Sequence, residues 1–408
     1  MYLNVLQNKK SGLGIPELEK KAREIRATCV QIAHDGKVGH LGSALSCVEG
    51  VMALYYYWLN VNPESAEDPE RDRFILSKGH ACTSLYAVFA DLGYIPTQWL
   101  SSYAKTGEPL SDHPCKHALE VLECSSGSLG HGLGIAELEK KAREIRATCV
   151  QIAHDGKVGH LGSALSCVEG VMALYYYWLN VNPGSAGDPE RDRFILSKGH
   201  ACTSLYAVFA DLGYIPMQWL SSYAKTGEPL SDHPCKHALE VLECSTGSLG
   251  HGLGISTGMA YAFKLEGSPA RAAVLMSDGE CNEGSVWEGA MFAASKKLDN
   301  LLVMVDYNGI QAVGRSDDIM GHTSLEEKFK AFGWGACTVS GNDIGAIMKA
   351  LDKFPFKKGR PSAIVLRTKK GAGVSFMEDK VLWHYRVPSE EDLSNALKEL
   401  DAKALHIG

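Results

Sequence analysis

The chain has 408 residues, 45% hydrophobic and 22% charged, with a formal net charge of −7. No Lys/Arg-rich run or basic stripe points to nucleic acid, and no apolar run approaches the length needed to span a membrane. The opening MYLNVLQNKKSG lacks the apolar core of a signal peptide, and the twelve cysteines form no C-x-x-C pair, so a reducing, cytoplasmic setting is expected.

In chain order the first feature is a repeat. Residues 12–131 recur as residues 132–251 with five differences: Pro16/Ala136, Glu64/Gly184, Glu67/Gly187, Thr97/Met217 and Ser126/Thr246. A long period in two copies is not a solenoid array. Gly-Leu-Gly-Ile stands at 12–15, at 132–135 and again at 252–255, so recombination between the outer two would produce the chain. The repeat reads as a recent tandem duplication or an artefact, not as old pseudo-symmetry. The expected organisation is an extension at 1–11, a partial copy at 12–131, and one domain at 132–408. The partial copy is expected to hold several amphipathic helices and one strand, Phe74-Ile75-Leu76.

Within the second copy the spacing predicts a helix over Glu137–His154 and another over Ala164–Asn180. A strand follows at Arg193–Ser197, then a helix at Ala201–Leu212 and a short one at Trp219–Tyr223. A glycine-rich loop, Gly247–Gly254, runs into a further helix. Apolar runs at 272–276 and 301–305 bracket a helix-like stretch with Val286, Trp287, Met291 and Ala294 on one face. Strands at Ala336–Ser340 and Ser362–Thr368 flank a helix at Ile344–Phe354, and a charged helix spans Glu390–Ala402. Apolar strands alternating with helices predict an α/β, doubly wound, mostly parallel sheet with helices on both faces.

A strand–helix–strand unit makes its two strands parallel, so Asp278 and Asn308 fall at adjoining carboxyl ends, where open α/β sheets bind ligands. A carboxylate, an amide oxygen and nearby carbonyls suit Mg²⁺ or Ca²⁺ holding phosphates. The same residues also read as ordinary Asp-Gly and Asn-Gly turns. The glycines at 247, 250, 252 and 254 leave room for a phosphate or flat ring ahead of a helix amino terminus. His160, His200, His233 and His384 all sit beside loop turns, not on apolar helix faces, and read as groups handling protons and hydroxyls. His233, Cys235 and His237 offer a rival zinc reading, but they are crowded and lack a fourth ligand. Cys281 has no activating partner in sequence and reads as structural.

Asp278-Gly279, some thirty residues and then Asn308 resemble the cofactor motif of thiamine diphosphate-dependent enzymes, with Ser277 in place of the usual leading Gly. Further motifs occur in order: Gly159–Ser163, Arg191–His200, Asp232-His233-Pro234 and Thr246–Gly252 before it, Lys370–Met377 and Trp383-His384 after it. Together they resemble the amino-terminal, diphosphate-binding domain of transketolase, from about residue 132 onward. The resemblance implies that Asp278, Asn308 and the carbonyl of Ile310 hold the metal. It assigns cofactor contacts to Gly247, Ser248, Leu249, Asp278, Gly279, Glu280 and Asn308. It places His160, His200 and His384 around the diphosphate and thiazolium, His233 on the donor's hydroxyls, and Glu283 between paired sites across a subunit interface.

With the motifs ending at Trp383-His384 and no pyrimidine-binding domain expected on this chain, the resemblance is to the amino-terminal subunit of a split transketolase. It implies a carboxy-terminal partner subunit bringing the activating glutamate, a homodimer core within a heterotetramer, and sugar phosphates as substrates. A related synthase of the deoxyxylulose phosphate type, and a non-catalytic product of duplication, are the alternatives. Both copies carry the histidines, at 40, 80 and 113 and at 160, 200 and 233. Only the second continues unbroken into the Asp278 strand, and it alone is expected to build the site.

Overall fold

The computed structural model describes residues 13–37, 39, 41–63, 70–74, 76, 81–104, 110, 133–321 and 323–402. The chain divides into two compact units between Gly134 and Ile135.

The second unit is built on five parallel strands: β1 (Arg193–Leu196), β2 (Ala272–Ser277), β3 (Leu301–Tyr307), β4 (Gly335–Ser340) and β5 (Ser362–Arg367), in spatial order β1-β2-β3-β5-β4. β2 is buried along its whole length and β3 nearly so. That is why both read as unbroken apolar runs without alternation: each face is covered. On one face Val274, Met276, Val303 and Val305 pack with Leu253 and Ala260 of the helix Gly252–Glu266 and with Val286 and Ala290 of the helix Gly284–Ser295. On the other, the helix Val168–Met172 comes so close that a Cβ on Gly170 would lie 3.0 Å from Leu366 and 3.7 Å from Met304.

The helices of this unit are α1 (Ile135–Asp155), α2 (Leu161–Ser166), α3 (Val168–Met172), α4 (Cys202–Asp211), α5 (Gly252–Glu266), α6 (Gly284–Ser295), α7 (Ser316–Met320), α8 (Leu325–Ala331), α9 (Ile344–Leu351) and α10 (Glu390–Glu399). The doubly wound parallel α/β sheet expected from the sequence is what forms. Three local expectations differ. The helix foreseen at 164–180 starts at Leu161, breaks at Cys167 and widens to a π-helix over Ala173–Trp178. The break lets α3 lie against the sheet while α2 brings Ser163 and Ser166 beside the site. The helix foreseen to Phe354 stops at Leu351, because the residue before Pro355 is driven out of the helical region. Of the face expected on α6, Val286 and Ala294 are buried but Met291 is exposed; Ala290 and Ala293 complete the buried side.

The first unit contains the helices Ile15–Gly36, Leu41–Leu45, Val48–Ala53 and Cys82–Leu92 around its own core of Ile25, Leu85, Tyr86 and Phe89. Phe74 and Leu76 are not in a strand, and Ile75 lies outside the described residues. The same Arg-Phe-Ile-Leu sequence forms β1 in the second unit only because β2 lies alongside it. The first copy carries no sequence equivalent of β2, and a strand without a ladder partner leaves its backbone groups unpaired. His40, His80 and His113 also lie outside the described residues. Among the described residues no helix is long and apolar enough to cross a membrane.

Candidate active site

β2 and β3 run in register, Ser277 opposite Asp306, so the turns that follow them leave the sheet side by side. Asp278 begins a 3-10 turn, and its carboxylate accepts hydrogen bonds from Ser316 Oγ at 2.6 Å and from the Gly309 amide at 3.2 Å. It thus bridges the two strand ends. Burial pushes its carboxyl above the usual range, only partly offset by the Ser316 hydroxyl. A carboxylate so desolvated calls for a cation. Asn308 is oriented from below: its Nδ2 donates to Asp306 Oδ2 at 3.2 Å and to Ser166 Oγ at 3.3 Å, and its Oδ1 accepts from the Ile310 amide. The Ile310 carbonyl accepts from Lys370 Nζ at 2.9 Å.

Beneath this lies a buried ion pair that sequence reading did not single out. Lys198 and Asp306, both fully buried, are in direct contact, and Lys198 Nζ also donates to the Ser163 carbonyl at 2.9 Å. Burial works against the Lys198 charge, but Asp306 outweighs it and holds the ammonium above its ordinary pKa. Asp306 also accepts from Ser166 Oγ at 2.5 Å and from Thr368 Oγ1. The signal was present in both cases: a lysine following an apolar strand, and an aspartate inside one. Charged residues there are expensive unless paired.

The four expected histidines converge from separate segments. The His160 ring centroid is 5.3 Å from His200, 6.2 Å from His233 and 5.1 Å from His384. His160 has φ of 62° and its amide donates to the His384 carbonyl at 2.8 Å, tying the start of α2 to the Trp383-His384 turn. Lys370 Nζ lies 2.7 Å from His384 Nδ1; an ammonium donor there leaves the ring hydrogen on Nε2. Burial, then Lys370 and the neighbouring rings, lowers His384 to about 3. Burial, followed by Lys198 and the adjacent histidines, holds His200 well below its ordinary value, and burial with His233 lowers His160. These three rings are therefore neutral near pH 7, each with one donor and one acceptor nitrogen. Lys370 is itself lowered to about 8, by burial and then by Lys198. Among the described residues, His160 Nδ1, Thr246 Oγ1 and Gln311 Nε2 are buried without a hydrogen-bond partner.

The glycine-rich loop closes the site from the side. Gly247, at φ 143°, sits against the His233 ring, where a Cβ would come within 3.1 Å of Cδ2. Gly250, at φ 76°, leaves no space for a side chain beside Glu283. Ser248 is exposed and Leu249 half-buried, with the Leu249 carbonyl 2.8 Å from His251 Nδ1. Gly279 lies beside Gln311 in the turn after β2. Glu280 is fully buried and accepts from the amides of Ser277 at 2.9 Å and Gly250 at 3.1 Å and from Ser197 Oγ; its carboxylate locks the loop to the sheet. Glu283 is exposed at the start of α6. His237 is exposed, and among the described residues no three His, Cys, Asp or Glu side chains gather as a metal site. Cys281 is buried, with its thiol pushed well up by burial.

A family model for the transketolase thiamine diphosphate-binding domain matches the chain twice, over residues 18–143 and 138–402. An apulose-4-phosphate transketolase subunit from Actinobacillus succinogenes is 41% identical over 271 residues, covering 66% of this chain and 98% of that protein. The 6-deoxy-6-sulfo-D-fructose transketolase subunit SqwG of a Clostridium species is 37% identical over 265 residues, 65% of this chain and 96% of its own. Among solved structures, the transketolase of Leishmania mexicana superposes with a TM-score of 0.61 at 27% identity, and that of Campylobacter jejuni with 0.62 at 25%. These matches cover 67% and 68% of this chain but 42% and 44% of those two proteins, so the chain spans less than half their length.

Proposed function

Because the chain belongs to the transketolase thiamine diphosphate-binding family, we propose that it is the diphosphate-side subunit of a two-component transketolase, moving a two-carbon ketol unit from a ketose phosphate to an aldose phosphate. The observation that carries this is the pairing of Asp278 and Asn308 at adjoining strand ends, beneath a cluster of neutral histidines. The residues suit the cofactor. A desolvated carboxylate, an amide oxygen and the Ile310 carbonyl form a hard-oxygen set for Mg²⁺ or Ca²⁺. Lys370 and the unpartnered His160 Nδ1 and Gln311 Nε2 supply cationic and polar groups around it. When bound, thiamine diphosphate supplies the nucleophilic carbon that takes up and releases the ketol unit.

The chain's own residues position and protonate. Asp306, held by Lys198, fixes the Asn308 amide so that its oxygen turns away from the sheet. His384, with its hydrogen on Nε2, and His200 offer donors and acceptors without adding charge next to the lysines. His160 lines the same space, and to His233, at the Gly247 loop, we assign the hydroxyls of a sugar donor. Gly247, Ser248, Leu249 and Gly279 line the cofactor's approach, while Glu280 braces the loop. The ketose phosphate is inferred from the apulose-4-phosphate named for one relative, and the aldose phosphate from ketol transfer between sugars of that class.

The reading requires a carboxy-terminal, pyrimidine-binding partner that brings the activating glutamate. It also puts a homodimer core on α5 and α6, whose outer residues Ile255, Leu265, Met291 and Phe292 are exposed apolar groups. The second repeat, 132–251, belongs to the working domain, and the first, 12–131, is redundant to it. Titration with thiamine diphosphate and Mg²⁺ tests the core of this reading. Asp278→Ala and Asn308→Ala should each abolish metal-dependent binding, since a methyl group replaces an oxygen ligand. Unchanged affinity in both variants would remove the metal assignment.

A further inference from the structure

The repeat provides an internal comparison: two stretches of nearly one sequence, one covered and the other bare. In the second unit Trp178 is 8% exposed, packed edge-on against Phe354 at 4.9 Å, with the Arg271 guanidinium 3.8 Å from its ring. Its counterpart Trp58 is 76% exposed. The buried pair Arg146–Glu169 is closed over by Ala372, whose carbonyl accepts from Arg146 Nε at 2.8 Å, and by Asn342, whose Nδ2 donates to Glu169 Oε2 at 3.1 Å. The equivalent Arg26–Glu49 pair keeps its mutual bond at 2.6 Å, with side chains 36% and 62% exposed. Tyr177 donates to Asp352, whereas Tyr57 donates to the Leu13 carbonyl of its own unit at 2.9 Å. Beside Arg26 and Glu49, a groove of about 350 Å³ opens between Ile15, Leu18, Met52 and Tyr57. In the second unit the matching face is covered by α9 and its flanks, so close that a Cβ on Gly345 would lie 3.1 Å from Ile135.

We propose that this groove is a second seat for the segment 342–372, filled by that segment of another copy of the chain. The bed's own requirements identify the occupant. It asks for an amide donor opposite Glu49, a backbone carbonyl opposite Arg26, a short apolar helix against Ile15 and Met52, and an aromatic ring beside Trp58. Residues 342–372 provide all four in the second unit, against side chains of the same identity. Each molecule carries two beds and one such segment, so every exchange leaves one bed open. Two molecules exchanging reciprocally, each segment in the other's first bed, close a dimer with one bed left open in each. A molecule's own bed competes at an effective concentration in the millimolar range, so exchange increases with protein concentration.

The test places a photo-crosslinking phenylalanine at Trp58 in the full chain, mixed with a large excess of ¹⁵N-labelled chain lacking it. Trp58 is exposed, so the substitution leaves the fold intact. The expected result is a crosslink from position 58 to peptides of 342–372 carrying the heavy label, its yield rising with concentration and lost on adding Glu49→Lys. Light-label adducts to 342–372 alone would mean that the segment reaches the first bed within one molecule, and would overturn the proposal. Absence of any adduct to 342–372, or a yield unmoved by Glu49→Lys, would overturn it as well.

Discussion

Replacing Lys198 with methionine removes one half of a fully buried ion pair while preserving most of its volume. Asp306 then keeps Ser166, Asn308 and Thr368 as donors but loses the only cation in contact with its carboxylate among the described residues. Breaking a buried pair by deleting one partner costs on the order of 3–5 kcal/mol, since the remaining charge is stranded in a medium that solvates it poorly. For a domain of this size that corresponds to a fall in Tm of roughly 6–20 °C. The double variant Lys198→Met/Asp306→Asn removes the charge imbalance and should recover more than half of the loss. Chemical denaturation at pH 7, followed by hydrogen exchange at the β3 amides, measures both. A single variant within about 1 kcal/mol of wild type would refute the argument, because an unpaired buried carboxylate cannot be that inexpensive.

Beyond the metal-site variants described above, three expectations follow from the same geometry. The purified chain alone should show no ketol transfer and should gain it with a pyrimidine-binding partner; turnover by the chain alone would show that the division of labour is misjudged. Assayed with that partner, a triple alanine variant at His160, His200 and His233 should be inactive and one at His40, His80 and His113 active, because only the second repeat continues into β2 without looping out a whole copy, which costs about (3/2)RT ln n; the opposite result would reverse the assignment. Stability should fall on acidification: folded pKa values of His160, His200 and His384 lie below the unfolded value near 6.5, so the unfolded chain takes up these protons first. Their contribution is complete above about pH 6.5 and lost below it, by up to roughly 1.4 kcal/mol per pH unit for each ring. Between pH 7 and 5, His384→Asn should show a shallower decline than wild type by about one proton, and equal slopes would count against the neutral-ring reading.

The strands at 272–277 and 301–307 were legible because a strand covered on both faces must be apolar at every position, and nothing else in the chain is so uniform. Their parallel pairing followed from the helix between them, and from that the meeting of Asp278 with Asn308. The histidines could be picked out as loop residues, but their convergence on His160 depends on three turns distant in sequence. Local patterns also could not foresee the break at Cys167, which depends on α2 and α3 each fitting the sheet and the site. Lys198, Asp306 and Lys370 were visible only as single charges, since pairing is a property of two positions 108 residues apart and of the burial around them. The repeat states the division most directly. Arg-Phe-Ile-Leu is a strand at 193–196 and has no strand counterpart at 73–76 among the described residues, and Trp178 is buried where Trp58 is bare. Identical side chains fix what a segment is able to bury or pair; only the neighbours that the rest of the fold brings alongside decide whether it does.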